Sequence, residues 1–247
     1  ATGRWAATVA RKIKDVNEQK ECIFVRLTIF EGEDLKIKTL EESISTWISN
    51  IKGDVFYPVK LRSLRKLPRV PYSYWVPESL TELFNKHPPL DKNQAKKHGN
   101  MKIVSLRQGL GTADATRFIR FWWEVPCNKL TLNREEIYKG KKWVPFVKGG
   151  DSYYSDIPLV VDWEKEGDKM REIKTSNIKW ITNTIKNFFF KNGLCWSSVV
   201  SSALMDFRIL PKGCLFSTNA HALFPVKNEH KFPLMGILNS SLLAYLF

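Results

Sequence analysis

At 247 residues, and with ~150 residues to a typical domain, the chain is long enough for one large domain or two small ones. Its 43% hydrophobic and 26% charged residues are the balance of a globular protein, which excludes a disordered chain and leaves no need for disulfide or metal staples. The net charge of +14 is confined: residues 61–150 carry 18 Lys/Arg against 7 Asp/Glu, whereas residues 1–60 and 151–247 are nearly balanced, so a localised polyanion-binding surface is expected rather than general basicity.

In chain order, Cys22 to Phe30 (CIFVRLTIF) is rich in β-branched and aromatic residues and predicts a strand. Leu40 to Ile51 predicts a helix with Leu40, Ile44, Trp47, Ile48 and Ile51 on one side. Residues 61–75 are basic, aromatic and interrupted by prolines, which excludes a long regular element. Pro77 suits the first turn of a short helix ending near Phe84. Residues 86–100 (KHPPLDKNQAKKHGN) are polar, broken by Pro and Gly, and read as a linker. Strands are expected at Met101–Leu106, Phe118–Val125, Trp143–Lys148, Ile157–Trp163, Leu194–Val199, Met205–Leu210 and Gly213–Ser217, with a helix over much of 168–186 and another in the apolar tail after Phe232. Short strands with interspersed helices make the fold class α+β (mixed α/β). The start without Met and the apolar, uncapped end predict a longer parent chain on both sides.

Cys22, Cys127, Cys195 and Cys214 form no C-x-x-C pair, which argues against a zinc ribbon or disulfide framework and fits a reducing cytoplasm. There is no signal-peptide pattern and no run of about 18 apolar residues, so neither secretion nor a membrane span is expected. The histidines His87, His98, His221 and His230 show no metal-ligand spacing, and no metal or catalytic residue is assigned.

Three strings resemble chemistry without completing it. Gly109-Leu-Gly111 follows a strand as a nucleotide loop would, but Asp114 replaces the third glycine. His87-Pro-Pro-Leu90 resembles the Asn/Asp-Pro-Pro-aromatic motif of amino-methyltransferases, yet lacks the oxygen acceptor and the stacking ring. Asp162 followed by Glu172-Ile-Lys174 has the residue types of a Mg²⁺-dependent nuclease, two carboxylates for the metal and a lysine for the water. The stretch around Glu172 lacks an apolar strand context and reads rather as a solvated face. Trp122, Trp123, Trp163 and Trp196 are expected in the core, and Arg120 opposite Glu124.

One stretch is more specific. Gln108-Gly-Leu-Gly-Thr-Ala-Asp-Ala-Thr-Arg-Phe-Ile-Arg-Phe-Trp-Trp-Glu-Val125 resembles the G-L-x-T-G-x-N-x-R-F-x-R-x-W-x-E-V segment of type IIG restriction-modification enzymes and of the PglX-like N6-adenine methyltransferases of BREX phage-defence systems. Collinear blocks agree: Pro71-Tyr-Ser-Tyr-Trp75; Trp143-Val-Pro-Phe-Val-Lys-Gly-Gly150 with Val160-Val-Asp-Trp-Glu164; Phe189-Phe-Lys-Asn-Gly-Leu-Cys-Trp-Ser197 with Phe207-Arg-Ile-Leu-Pro-Lys-Gly213; and Met235-Gly-Ile-Leu-Asn-Ser240. Ala113 stands where that family has Gly, and Ala115 where it has Asn.

The resemblance covers roughly 61–247 and implies a sheet-rich DNA target recognition domain with flanking helices over those residues. Residues 1–60 would then be the C-terminal tail of a methyltransferase catalytic domain, whose S-adenosylmethionine loop and Asn-Pro-Pro-Tyr motif this sequence does not contain. Double-stranded DNA and the methyltransferase domain are the partners it implies, with no cofactor in this chain and S-adenosylmethionine in the parent. Phosphate contacts are expected from Lys96, Lys97, Lys102, Arg107, Lys141, Lys142 and Lys148 beside Gly149 and Gly150, whose backbone can approach a phosphate closely. Base or groove contacts are expected from Arg117, Arg120, Tyr153, Tyr154, Ser197 and Arg208, with Thr112 as a further DNA contact. The alternatives are a nuclease on Asp162, Glu172 and Lys174, and a non-catalytic protein-interaction module.

Overall fold

The computed structural model describes residues 21–48, 55–64, 73–87, 90–91, 103–150, 154–173, 183–198 and 206–246. The chain divides into two compact units, Ala1–His87 and Pro88–Phe247, with the division inside the polar 86–100 stretch. Most of that stretch, 88–89 and 92–100, lies outside the described residues.

In the first unit, β1 (Glu21–Val25) pairs antiparallel with β2 (Phe56–Lys60), with Phe24 opposite Tyr57. β1 is shorter than the expected strand because the chain turns after Arg26, whose N–H donates to the Val55 carbonyl. Helix α1 (Glu33–Ile48) starts seven residues earlier than periodicity alone indicates; Glu33 and Asp34 in its first turn complement the helix dipole. Two further helices follow, α2 (Leu61–Leu64) and α3 (Glu78–Lys86), the latter entered from Pro77 as expected. The Tyr74 ring stacks on Phe24 at 4.6 Å and meets Trp75 edge-on at 5.1 Å, so part of the Tyr-Ser-Tyr-Trp75 block serves as packing.

The second unit contains two four-stranded sheets. One has the order β3-β10-β7-β8 and is antiparallel throughout, from β3 (Val104–Arg107), β7 (Gly193–Ser197), β8 (Arg208–Leu210) and β10 (Ala220–Pro225). The other has the order β4-β6-β5-β9, from β4 (Ile119–Phe121), β5 (Trp143–Val147), β6 (Leu159–Asp162) and β9 (Leu215–Phe216), and only β5 and β9 run parallel. Phe118, Phe146, Trp163, Phe189, Leu210 and Phe216 belong to one core drawn from both sheets. On the first sheet Cys195, Ala222 and Phe224 enter that core, while Leu194 and Leu223 point to the other face and pack with Leu234 of helix α8 (Lys231–Leu238). The fold is α+β, as the sequence predicts.

Several boundaries differ from expectation for local reasons. The Phe118–Val125 strand is reduced to β4, because Asp114 caps a one-turn helix α4 (Ala115–Phe118) by accepting the Arg117 N–H at 3.0 Å. After Phe121 the chain turns at once, the Glu124 carboxylate accepting the Phe121 N–H at 2.8 Å. Short helices α5 (Arg134–Ile137), α6 (Asp168–Arg171) and α7 (Asn183–Lys186) complete the connections; 174–182, where a continuous helix was expected, lies outside the described residues. The tail is two helices, α8 and α9 (Ser241–Leu246). The Asn239 side chain between them both accepts from the Phe207 N–H and donates to its carbonyl, each at 2.8 Å.

Candidate nucleic-acid interface

β5 and β9 leave their sheet side by side, Ser217 N–H donating to the Val147 carbonyl at 2.9 Å. Lys148 then stands exposed, and Gly149 and Gly150 adopt φ of +107° and +153°, a backbone that side-chain-bearing residues rarely reach. A tight turn after β9 is closed by the Ser217 hydroxyl, which accepts the Asn219 N–H at 3.1 Å. The Asn219 carbonyl accepts the Ser198 N–H at 2.9 Å and so brings the end of β7 to the same place. Gly149 faces the Ser197 hydroxyl, and the Gly150 carbonyl accepts from Arg208 Nη1 at 3.0 Å. Thr112 follows Gly111, which faces the Thr218 methyl group. The structure thus gathers Thr112, Lys148, Gly149, Gly150, Ser197 and Arg208 at one edge of the second unit.

Arg208 does not present its guanidinium to solvent. It is 3% exposed, pairs in register with Cys195, and its Nη2 is buried without a hydrogen bond. Burial pushes the Cys195 thiol up to about 11, with Arg208 pulling the other way.

Most of the other expected contacts among the described residues are engaged locally. Lys141 pairs with Glu136 at 3.1 Å, and Lys142 with Asp162 at 3.0 Å while lying over the Trp143 ring. Arg107 lies 4.3 Å over the Phe188 ring and donates to its neighbour's carbonyl. Arg117 is exposed beside Phe118. Arg120 turns back to the carbonyls of Thr116 and Ile119, so the expected facing of Arg120 and Glu124 does not become an ion pair. Tyr154 is 80% exposed. Lys96, Lys97, Lys102 and Tyr153 lie outside the described residues.

Gly109 has a packing reason, because a methyl group there would overlap the carbonyls of Phe216 and Ser217, against which the Gly109-Leu110 backbone runs. The Asp162 carboxylate is already used, accepting from Lys142 Nζ and from the Glu164 N–H at 3.1 Å, while Glu172 is exposed and Lys174 lies outside the described residues. Among the described residues no group of three His, Cys, Asp or Glu side chains is placed to hold a metal ion.

The tryptophans divide. Trp163 is fully buried edge-on to Phe189, and Trp196 is half-buried against Phe207. Trp122 and Trp123, expected in the core, are 50% and 59% exposed, with Phe121 stacked on Trp123 at 4.6 Å, because the turn at Glu124 ends the strand that would have buried them. Asn219 and Ser155 at the polar edge were missed by sequence reasoning; a Ser or Asn in a turn carries no signal of its partner.

No family model matches the chain. The chain is 27% identical over 230 residues to the Adenine-specific methyltransferase PglX of Lacticaseibacillus casei (strain Zhang), a match covering 88% of the chain and 18% of that protein. It is 25% identical over 228 residues to the Adenine-specific methyltransferase BrxX of Escherichia coli O9:H4 (strain HS), covering 90% of the chain and 16% of that protein. The class to which it is similar is therefore that of adenine-specific methyltransferases, and the chain spans less than a fifth of these relatives' length. Among the described residues no helix is long and apolar enough to cross a membrane.

Proposed function

We propose that this chain is the DNA target-recognition part of a site-specific adenine-N6 methyltransferase of a restriction-modification or phage-defence system. The observation that carries the reading is the similarity across about nine-tenths of the chain to two adenine-specific methyltransferases of which it spans under a fifth. The confinement of positive charge to residues 61–150, and the polar edge at Lys148 to Gly150, support a polyanionic partner. Residues 61–247 are the recognition domain in this reading, with 86–100 as a linker, and residues 1–60 are the closing tail of the catalytic domain. Exposed Ile23, Val25, Ile29 and Ile44 in the first unit suit a surface that the remainder of such a domain covers.

The parent enzyme would transfer a methyl group from S-adenosylmethionine to an adenine that has left the base stack, which requires the duplex to be gripped while one nucleotide is extruded. The recognition domain supplies the grip through phosphates and reads neighbouring bases in the major groove. Lys96, Lys97, Lys102, Arg107, Lys141, Lys142 and Lys148 remain our assignment for the phosphates; Lys141 and Lys142 would exchange Glu136 and Asp162 for them. Thr112, Arg117, Arg120, Tyr153, Tyr154 and Ser197 are assigned to the groove.

Selection of bound duplexes from a randomised pool at about 150 mM salt, followed by sequencing, tests this. An enriched motif of a few base pairs is expected. With about six phosphates engaged, log K falls against log salt with a slope of roughly −5. A salt-insensitive affinity removes the argument from charge. Absence of binding favours the protein-interaction module, for which the exposed Phe121, Trp122 and Trp123 ledge is the surface.

A further inference from the structure

Arg208 sits beneath the Gly149–Gly150 turn, its Nη1 3.0 Å from the Gly150 carbonyl. Its Nη2 makes no hydrogen bond, and among the described residues no carboxylate forms an ion pair with it. A guanidinium withdrawn from water and unpaired is among the costlier arrangements a fold can hold. The Cys195 thiol is hydrogen-bonded to Arg208 but brings no counter-charge, because burial pushes the thiol up to about 11.

The turn above the guanidinium is built to let something approach. A Cβ at position 150 would come within 2.9 Å of Arg208 Nη2 and of Ser155 Oγ, and one at position 149 within 3.3 Å of Ser197 Oγ. Glycine at both positions keeps a Cβ out of the space beside the Arg208 guanidinium and the Ser155 and Ser197 hydroxyls. Lys148 stands exposed at the entrance and forms no ion pair among the described residues.

We infer that the Gly149–Gly150 turn seats one phosphodiester of the DNA backbone, with Lys148 and Ser197 touching it from outside and Arg208 acting from beneath. Arg208 is a positioning residue: its bond to Gly150 fixes the turn, and its unneutralised charge favours an anion there, in a setting less screened than open solvent. A phosphate supplies the charge that the guanidinium lacks and acceptors for the lysine and the serine. This assignment rests on the DNA-recognition reading above. It moves Ser197 and Arg208 from the groove to the backbone.

The test uses the 247-residue chain and a set of duplexes of the selected sequence, each with one phosphate replaced by a neutral methylphosphonate. For the wild type, neutralising one linkage is expected to weaken binding about tenfold, the worth of one charge-assisted contact. Lys148→Ala and Ser197→Ala bind more weakly to the unmodified duplex and no longer respond at that same linkage, while their responses elsewhere are unchanged. Lys148→Ala also lowers the salt slope by about one. Arg208→Met loses the response and Arg208→Lys retains part of it, both checked for a wild-type unfolding transition.

If Lys148→Ala and Ser197→Ala keep the full penalty at every linkage, the seat is overturned while the recognition reading stands. A folded Arg208→Met that keeps the full response overturns its role. Should Arg208→Met not fold, Lys148→Ala and Ser197→Ala decide. A wild type that binds no duplex overturns the recognition reading itself, which is a separate outcome.

Discussion

The two units bury their apolar residues to different extents. Among the described residues, the largest fully buried side chains, Trp163, Phe118, Phe146 and Phe216 included, all lie between Val104 and Leu223. In the first unit Val55, Leu64 and Val76 are buried, whereas Ile23, Ile29, Leu35, Ile37 and Ile44 are 44% to 65% exposed. Strand composition does not account for the contrast, since β1 is as apolar as β7. Layers do. β7 is an interior strand of a four-stranded sheet packed on both faces, with Cys195 in one cluster and Leu194 in the other. β1 belongs to a two-stranded sheet, in which Cys22 and Phe24 are half-buried while Ile23 and Val25 face out. A two-stranded pair buries little on its own in water, so the outward face of β1 contributes less to stability than either face of β7.

The largest effect expected from this contrast is at Phe216, fully buried and packed against Phe189 and Phe224. Phe216→Ala is expected to cost about 3–5 kcal/mol in urea unfolding, because the cavity forms where two sheets meet. Ile23→Ala is expected to cost under about 0.5 kcal/mol. Comparable costs would break the comparison. Gly109→Ala sharpens it: the added methyl would meet the Phe216 and Ser217 carbonyls, and a loss of about 3 kcal/mol is expected because backbone cannot yield as a side chain can.

Much of this second unit was legible in the sequence. The strands at Trp143, Ile157 and Leu194 stood out because apolar runs there end in turn residues. The sequence offered Gly149 and Gly150 as places where backbone can approach a phosphate; their positive φ values are a separate, conformational reason for glycine. β10 was not recognised, although it lies between β3 and β7 in its sheet: Ala220-His-Ala-Leu-Phe-Pro225 alternates weakly and ends in proline. The exposure of Trp122 and Trp123 was equally illegible, since it follows from one hydrogen bond of Glu124 to the backbone three residues earlier. At the candidate site, sequence could nominate Arg208 but not its depth, which depends on its register opposite Cys195.

A middle-sized effect is expected at Glu166. Its carboxylate receives Arg134 at 2.5 Å and Lys186 at 3.1 Å, and the Lys186 side chain is only 9% exposed. Burial pushes the Glu166 carboxyl up, but its hydrogen bonds from Arg134, Lys186 and Tyr138 outweigh this and hold it below the ordinary carboxylate value. A group depressed in the folded state contributes stability above its unfolded pKa and loses it as the pH falls through the folded value. Thermal stability is therefore expected to decline on acidification below about pH 4.5, the carboxylate range. Glu166→Gln should flatten that decline and cost about 2 kcal/mol at neutral pH, leaving Lys186 buried without its partner. An unchanged acid limb would remove this network from the account of the second unit's closure.

The smallest effect is a gain. Ala113 has φ of +59°, immediately before the Asp114 cap of α4, where the resembling family carries glycine. A left-handed residue with a Cβ costs about 1–2 kcal/mol. Glycine removes that strain but returns about 0.5–1 kcal/mol to the unfolded chain as backbone entropy. The strain term is the larger, so Ala113→Gly is expected to stabilise the chain by about 0.5 kcal/mol in urea unfolding, read as a higher midpoint with an unchanged slope. The same substitution at Ala115, inside α4, has no strain to relieve and is expected to destabilise. If both substitutions lower the midpoint, the turn into α4 is not left-handed, and the strain has to be sought elsewhere in the Gly109-to-Phe118 segment.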